Sequence, residues 1–384
     1  MFKKILIFCM LVCVLATTFC ASMSNVSYAE GGPDISSKAA CLVEYASGEI
    51  LYAKQETKHL PIASMVKMMT ILLTLEQIDH GALTEETLVT TSENASGMGG
   101  SQVFIDPYVQ YSAGDLLKSV IIASANDASV ALAEHISGSE SAFVSKMNER
   151  AQQLGMSDTH YVNCTGLPAP EQYSCAKDCA LILKEVAKYD IYHKYSTIWM
   201  DELLHPSGRK TELVNTNRLV RYYDGCDGGK TGSTNEAGCC LSASAKRNDM
   251  RLISVIIGAE NSQTRFNECS KLFNYGFANY ESKEIVGTEN SLLSIAINKG
   301  KEADAPVFAD EAFAIVAKKG EKSDIDVTYS LPEKINAPTR KGDVVGKAVL
   351  SRNGAVIKEI DLIVKMDIDA LSLKDCFDKV VYGW

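Results

Sequence analysis

A dense apolar run begins just after Lys67. Leucine and isoleucine dominate residues 71–78, and neither glycine nor proline occurs between Ser64 and Gly81. Such a run of helix-forming residues predicts a helix that begins near Ser64. A spacing of three residues would then place Ser64 and Lys67 on one helix face, one turn apart.

Helical and strand-like periodicities are intermixed along the chain up to Tyr280. Period-two runs predict strands, and runs with a period near 3.6 predict helices. Residues 84–114 are rich in turns, and the pattern at residues 203–219 is short and polar. The predicted elements are a hairpin (39–45 and 50–53), helices (116–123, 128–136, 140–154, 176–188 and 265–280) and two strands (238–245 and 251–258).

The pattern changes after Lys283. From residue 292 to residue 366, short alternating runs are separated by glycines, which is typical of a small all-β domain. Beyond it, the apolar side chains of residues 373–384 share one helical face, and charges of both signs lie opposite. This spacing fits a helix in a membrane interface, and it fits a helix docked on the protein nearly as well. The terminal aromatic Trp384 favours peripheral membrane contact.

The amino terminus has the features of a secretion signal. Lys3 and Lys4 precede an apolar body at residues 5–16, and Ser27-Tyr28-Ala29 provides a small-residue cleavage site. We therefore predict an exported protein with four segments: a signal peptide at 1–29, a catalytic domain at 30–283, a β-rich domain at 284–366 and an amphipathic tail at 367–384.

Composition and charge limit the possible partners. The 384 residues are 46% hydrophobic and 22% charged, as in globular proteins of two or three domains. The net charge is -10, and no basic stripe with interleaved aromatic residues occurs, so we expect no nucleic acid partner. Nine cysteines follow the signal, an odd number that cannot pair completely. Cys175 and Cys179 offer two of the four ligands of a structural zinc site, so we expect mostly free thiols, no metal and no cofactor.

Three short motifs with chemical potential occur in order: Ser64-x-x-Lys67, Ser124-x-Asn126 and Lys230-Thr231-Gly232. The first two patterns also occur elsewhere in the chain, so the bare patterns are weak signals. Their positions distinguish them, because the first begins an apolar helix, the second interrupts two helices and the third precedes strand-forming sequence. The third does not fit a phosphate-binding loop, because Asp224 stands where that motif requires glycine.

Together the motifs predict a site for acyl transfer. A buried, neutral Lys67 would take the proton of Ser64, which would attack a carbonyl. Ser124 would relay a proton to the leaving amine, and Asn126 would hold the substrate amide while it orients Lys67. Lys230 and Thr231 would bind a carboxylate. Since Gly232 lets the strand approach a ligand closely, the N–H groups of Ser233 and Ser64 would form an oxyanion hole.

These motifs in their context resemble the low-molecular-mass D-alanyl-D-alanine carboxypeptidases, which are penicillin-binding serine peptidases. The resemblance covers about residues 35–280, and it also places a second β-rich domain and an anchoring tail where they occur here. Its segments are Pro61–Thr70, Ser124–Asp127, His160–Leu167, Asp227–Gly232 and Met250–Ser254.

The resemblance implies a β-lactamase/transpeptidase-like α/β (α+β) fold, in which helices flank an antiparallel sheet, a helical subdomain crosses the cleft and a small all-β domain follows. It implies removal of the terminal D-alanine from peptidoglycan stem peptides ending in D-Ala-D-Ala, through an acyl-enzyme on Ser64 that β-lactam antibiotics also form. It implies the bacterial cell envelope as location. Arg265 matches a family arginine that assists carboxylate binding, and Arg218 is a weaker candidate.

Three alternatives stay open at this point. A serine β-lactamase on the same fold would use a glutamate for deacylation; Glu171 lies in the right interval, but no matching asparagine follows it. A DD-endopeptidase would cut peptidoglycan crosslinks with the same residues. A catalytically silent binding module would keep the fold, but it would have no physical need for the intact set of reactive side chains.

Overall fold

The structure is a computed structural model that describes residues 32–321, 324–373, 375 and 377. Helices and strands alternate up to residue 279, and strands alone follow in the named elements. The helices are α1 (Lys67–Asp79), α2 (Glu93–Ser96), α3 (Ala113–Ile122), α4 (Asn126–Ser137), α5 (Glu140–Gln153), α6 (Ala176–Val186), α7 (Asp190–Ser196), α8 (Leu219–Tyr222) and α9 (Ser262–Asn279).

The strands of the first region are short hairpin partners or members of one central sheet. They are β1 (Ala39–Glu44), β2 (Ile50–Lys54), β3 (Leu88–Thr90), β4 (Gln110–Ser112), β5 (Met200–Leu204), β6 (Lys210–Val214), β7 (Cys226–Thr234), β8 (Gly238–Arg247) and β9 (Met250–Ala259). The central sheet has the order β2-β1-β9-β8-β7, and every neighbouring pair is antiparallel. Because β7 is an edge strand, one side of it is free to border a cleft.

Each face of the central sheet is covered by helices. On one face, α6 packs on β1, β8 and β9, and α1 packs in turn on α3, α4, α5 and α6. On the other face, α9 packs along β8 and β9, where Leu252, Leu272 and Phe273 are fully buried. The predicted antiparallel sheet flanked by helices, with an adjoining helical subdomain, is therefore confirmed.

The carboxyl-terminal region is an all-β domain, as predicted. Its strands are β10 (Tyr280–Val286), β11 (Leu293–Asn298), β12 (Asp304–Ala309), β13 (Phe313–Lys318), β14 (Ile325–Ser330), β15 (Lys334–Asn336), β16 (Val344–Arg352) and β17 (Ala355–Val364). Six of them form a sheet of order β14-β16-β17-β12-β11-β15 around a separate aliphatic core. Since β10 pairs with β13, the boundary predicted at Lys283 falls inside a strand.

Three local differences separate the structure from the sequence pattern. The segment Ala63–Val66 is a 3-10 turn, and the α-helix begins only at Lys67. The hairpin β5–β6 and the short helix α7 occupy stretches for which no element was predicted. The hairpin has only one buried residue per strand, Leu203 and Leu213, so its alternation is weak in the sequence.

Two predicted segments concern residues that the structure does not describe. The signal peptide at 1–29 lies outside the described residues, as does the tail after Phe377. The last described apolar side chains, Leu373 and Phe377, are 92% and 65% exposed. Within the described part of the chain, every helix is too short or too polar to cross a membrane.

Candidate active site

The 3-10 turn that carries Ser64 lies between two glycines. A Cβ atom at Gly232 of β7 would lie 2.3 Å from the carbonyl oxygen of Ile62. A Cβ atom at Gly166, whose φ is +80°, would lie 2.1 Å from the carbonyl oxygen of Ala63. Any other residue at either position would displace the turn. The sequence attributed Gly232 to close approach of a ligand, whereas the close approach is to the backbone around Ser64.

The backbone around the reactive hydroxyls adopts unusual conformations. Ala63, immediately before Ser64, has a φ of 48°, and Ser124 has a φ of 62°. Residues with side chains rarely adopt positive φ, and such strain persists only where the surrounding packing imposes it. The surrounding packing therefore fixes the backbone at Ser124 and immediately before Ser64.

Lys67 is fully buried, and its amine contacts the hydroxyl of Ser64. The Nζ atom lies 3.0 Å from Ser64 Oγ and donates to the carbonyl oxygen of Thr165 at 2.5 Å. Burial lowers the pKa of Lys67 to about 7, because the charged form loses its hydration. The nearby Cys164 and Asp127 act in the opposite direction and limit the fall. At that pKa a large fraction of Lys67 would be neutral at physiological pH, which a role as proton acceptor requires.

The orientation of Lys67 differs from the predicted one. Asn126 does not hold it; the amide nitrogen of Asn126 donates to the carbonyl of Gly99 at 2.6 Å. The Oδ1 atom of Asn126 is buried and has no hydrogen-bond partner among the described residues. It is consequently available to accept a hydrogen bond from a ligand amide. A backbone carbonyl, that of Thr165, fixes the amine of Lys67 instead.

Lys230 is a second buried lysine, and it faces Ser124 rather than open solvent. Its Nζ atom donates to Ser124 Oγ at 2.7 Å and to the carbonyl oxygen of Thr231 at 3.1 Å. Burial lowers the pKa of Lys230 well below its usual value, and the positive charges of Lys67 and Arg265 lower it further. The sequence predicted that Lys230 and Thr231 bind a carboxylate. The structure places Ser124 and Thr231 between the amine of Lys230 and the cavity.

The serines open into a cavity of about 750 Å³. Of the five predicted substrate-binding residues, all except Lys230 line this cavity: Thr231, Gly232, Ser233 and Arg265. Arg218, the weaker candidate, lines it too. Arg265 is anchored by hydrogen bonds to the carbonyl oxygens of Gly232 (3.2 Å) and Cys240 (3.4 Å). Its Nε is buried without a partner among the described residues, so the guanidinium keeps unused donor capacity.

Two parts of the site were missed by the sequence analysis. One is an aromatic rim, in which the guanidinium of Arg221 lies 5.3 Å from the ring centre of Trp199 and 5.6 Å from that of Tyr222. Both rings line the cavity.

The other part is Asp127, a buried carboxylate that accepts hydrogen bonds from the backbone N–H groups of Val103, Ile105 and Ala128. Asp127 thereby holds the loop beside Ser101. Asp127 was visible in the sequence as an acidic residue at a helix start.

The chain matches two family models in succession. Residues 26–261 match D-alanyl-D-alanine carboxypeptidase, and residues 280–370 match the carboxyl-terminal domain of penicillin-binding protein 5. The chain is 38% identical to D-alanyl-D-alanine carboxypeptidase DacF of Bacillus subtilis (strain 168), over 90% of each chain. It is 34% identical to DacC of Escherichia coli (strain K12), over 88% of this chain and 85% of the relative.

Among solved structures, penicillin-binding protein 5 of Haemophilus influenzae superimposes with a TM-score of 0.70 at 33% identity. The superposition covers 88% of this chain and 98% of the other. The resemblance therefore extends through both domains, and the residues matched by the first family model include Ser64.

Proposed function

The chain belongs to the D-alanyl-D-alanine carboxypeptidase family of serine peptidases, and we propose that Ser64 is the nucleophile with which it removes the terminal D-alanine of peptidoglycan stem peptides. The carboxypeptidase activity follows from the family. The roles of the individual residues follow from their geometry. The observation that carries the proposal is the buried amine of Lys67 at 3.0 Å from the hydroxyl of Ser64.

Acylation begins when Lys67 takes the proton of Ser64, and Ser64 Oγ attacks the carbonyl between the two D-alanines. The N–H groups of Ser64 and Ser233 stabilise the negative oxygen that forms. Such a donor typically contributes about 3–4 kcal/mol to the transition state. Ser124, held by Lys230, passes a proton to the leaving nitrogen. The C–N bond breaks, D-alanine departs, and water then hydrolyses the ester on Ser64.

The carboxylate of the terminal D-alanine binds at the Thr231 end of the cavity. Thr231 offers a hydroxyl, Arg265 offers a guanidinium with unused donors, and Lys230 lies directly behind them. Asn126 contributes the free Oδ1 that accepts from the substrate amide. A β-lactam carries an equivalent carboxylate beside a reactive amide, so it enters the same site and acylates Ser64.

Ser64→Ala tests this assignment. The variant is expected to lose covalent labelling by penicillin and release of D-alanine from a peptide ending in D-Ala-D-Ala. Mass spectrometry of the labelled wild type should place the adduct on the peptide that contains Ser64. Labelling of the variant at the wild-type rate would contradict the mechanism.

Penicillin turnover separates the carboxypeptidase from a β-lactamase. Glu171, the candidate for a deacylating glutamate, has an exposed side chain and does not line the cavity. We therefore expect a long-lived penicilloyl adduct and slow release. Rapid hydrolysis of penicillin by the wild type would instead support the β-lactamase alternative, and cleavage of crosslinked dimers faster than of pentapeptides would support the endopeptidase.

Export and peripheral membrane contact complete the proposal. The relatives are enzymes of the bacterial cell wall, whose substrate lies outside the cytoplasm, and the exposed Leu373 and Phe377 begin the apolar face of the tail. A protein truncated after Ser372 keeps the backbone bridges of Ile368 and Ala370. It should move from the membrane fraction to the soluble fraction, whereas an unchanged distribution would favour a docked helix.

A further inference from the structure

Outside the cleft, two carboxylates and a thiol converge at the start of α6. The nearest ligand atoms of Asp158, Cys175 and Asp178 all lie within 4.8 Å of one another. None of the three residues lines the cavity that contains Ser64. In the sequence, Cys175 and Cys179 were the two candidate zinc ligands. The fold instead brings Cys175 close to two acidic residues, one on either side of the 160–167 loop.

The protein compensates the charges of this cluster only in part. Asp178 is 1% exposed. Its Oδ2 accepts from the backbone N–H of Asp158 (2.9 Å) and from the hydroxyl of Thr159 (2.7 Å), while its Oδ1 is buried without a partner among the described residues. Across the described chain, no lysine or arginine forms an ion pair with either carboxylate; Asp158 contacts only the ring of His59 (2.9 Å) and the hydroxyl of Ser157 (3.4 Å) through its side chain. A buried carboxylate without an ion-pair partner is costly, and a bound cation would offset that cost.

We propose that Asp158, Cys175 and Asp178 bind a divalent cation of the zinc class. A thiolate with two carboxylates suits Zn²⁺ or its chemical relatives, and the sulfur disfavours Mg²⁺ and Ca²⁺. The thiol of Cys175 gives up its proton to solvent as the sulfur–metal bond forms. The side chain of Asp158 is 29% exposed, which provides an entry path, and the fourth position is taken by water or by His59, whose Nε2 lies 2.9 Å from Asp158 Oδ1.

The bound cation would stabilise the segment that leads to the catalytic lysine. Asp158 precedes the loop whose Thr165 carbonyl accepts a hydrogen bond from Lys67. Ser174, which precedes Cys175, forms a backbone bridge with Leu60, four residues before Ser64. Because the three ligands do not reach the cavity, the cation takes no part in acyl transfer. It adds stability by binding the folded chain only.

Metal titration of the purified protein tests the proposal. The wild type, after treatment with a chelator, should bind one equivalent of Zn²⁺ and of Co²⁺, and Co²⁺ should give a thiolate-to-metal charge-transfer absorption. Mg²⁺ should not compete. Zn²⁺ should raise the melting temperature, while the rate of penicillin acylation should change less than twofold.

Three variants make the test specific. Cys175→Ser keeps a side chain that can cap α6, as the Sγ atom now does for the N–H of Asp178, so it should fold. It should lose the charge-transfer absorption and bind Zn²⁺ at least about 100-fold more weakly, and Asp158→Asn should weaken binding as well. Cys179→Ser, one helical turn away and also buried, is the matched control and should bind like the wild type. Absence of metal binding in the wild type, or binding of Zn²⁺ by Cys175→Ser as tight as that of the wild type, would overturn the proposal. The three residues would then serve only to form hydrogen bonds at the start of α6.

Discussion

Between Ile35 and Asn279 the protein buries lysines, aspartates and many hydroxyl groups, whereas from Tyr280 onward the described residues bury almost only aliphatic side chains. Lys67, Lys230, Asp127 and Asp178 belong to the first region. In the second region, Thr339 is the one polar residue among the described positions that is buried. Both regions contain well-buried apolar clusters, two in the first region and one in the second, so the difference does not reflect a lack of apolar core.

This contrast shows that the first region contains buried ionisable groups that reduce stability and can support reactivity. A buried lysine costs free energy because its charged form is desolvated, and an all-aliphatic core avoids that cost. Buried groups with displaced pKa values concentrate at functional sites. Reactivity should therefore respond to changes in the first region, and changes in the second should affect stability alone.

Removal of Lys67 should produce the largest difference between the regions. Lys67→Ala is expected to slow penicillin acylation about 10²–10⁴-fold, because the general base is lost. In the wild type the acylation rate should rise with pH through about 7, since the protonated amine cannot accept a proton, and this inflection should disappear in the variant. Stopped-flow measurement of acylation across the pH range checks both effects.

Lys347 of the β-rich domain provides the control. It is half exposed and paired with Glu359 at 2.7 Å on the neighbouring strand. Lys347→Ala should leave the acylation rate and its pH profile unchanged. A loss of rate in this variant comparable to that of Lys67→Ala would refute the division between the regions.

Two glycines with nearly the same φ, one in each region, allow the two regions to be compared directly. Gly166 has a φ of 80° and Gly354 a φ of 79°, but a Cβ atom would clash only at Gly166. Alanine costs about 1–2 kcal/mol at either position from its φ alone. Gly166→Ala should in addition displace the Ser64 turn and slow acylation about 100-fold, since a misplacement near 1 Å has that effect.

Thermal unfolding and acylation, measured on both glycine variants, separate the two costs. Gly354→Ala should lower the melting temperature while the folded protein acylates at the wild-type rate. Equal acylation rates for the two variants would show that the turn tolerates the added methyl group and that the contact with Gly166 is not restrictive.

Two leucines give the smallest expected difference in rate. Leu75 of α1 and Leu350 of β16 are 1% and 0% exposed, and alanine at either should lower the free energy of unfolding by about 2–5 kcal/mol. Leu75→Ala should also slow acylation a few-fold, because α1 carries Lys67. Leu350→Ala should not do so at a temperature where the protein remains folded. An equal slowing by both would indicate that the β-rich domain supports the catalytic geometry.

Much of the site was predictable because its reactive groups are side chains in recognisable positions. Ser64 and Lys67 lie at the start of an apolar helix, Ser124 and Asn126 lie at the junction of two helices, and the sequence alone predicts the nearness of the first pair. The exposure of a group was harder to predict. Lys230 was predicted to bind a carboxylate, and the sequence gives no sign that the fold buries it behind Ser124.

The remaining features depend on contacts between distant segments. The carbonyl of Thr165 has no side-chain signature, and the tight approach of Gly166 to the Ser64 turn is visible only in three dimensions. The rim formed by Trp199 and Tyr222 depends on a hairpin with a weak alternating pattern. Separation along the chain likewise hid the proximity of Asp158 to Cys175.

The nearness of the two buried lysines has a consequence for proton balance during ligand binding. In the free cleft, burial and the positive charge of Arg265 oppose protonation of Lys230. A ligand carboxylate beside Thr231 offsets part of that opposition, so ligand binding favours the protonated form of Lys230. Association is then coupled to proton uptake. The measured binding enthalpy should depend on the ionisation enthalpy of the buffer, and affinity should decline as the pH rises.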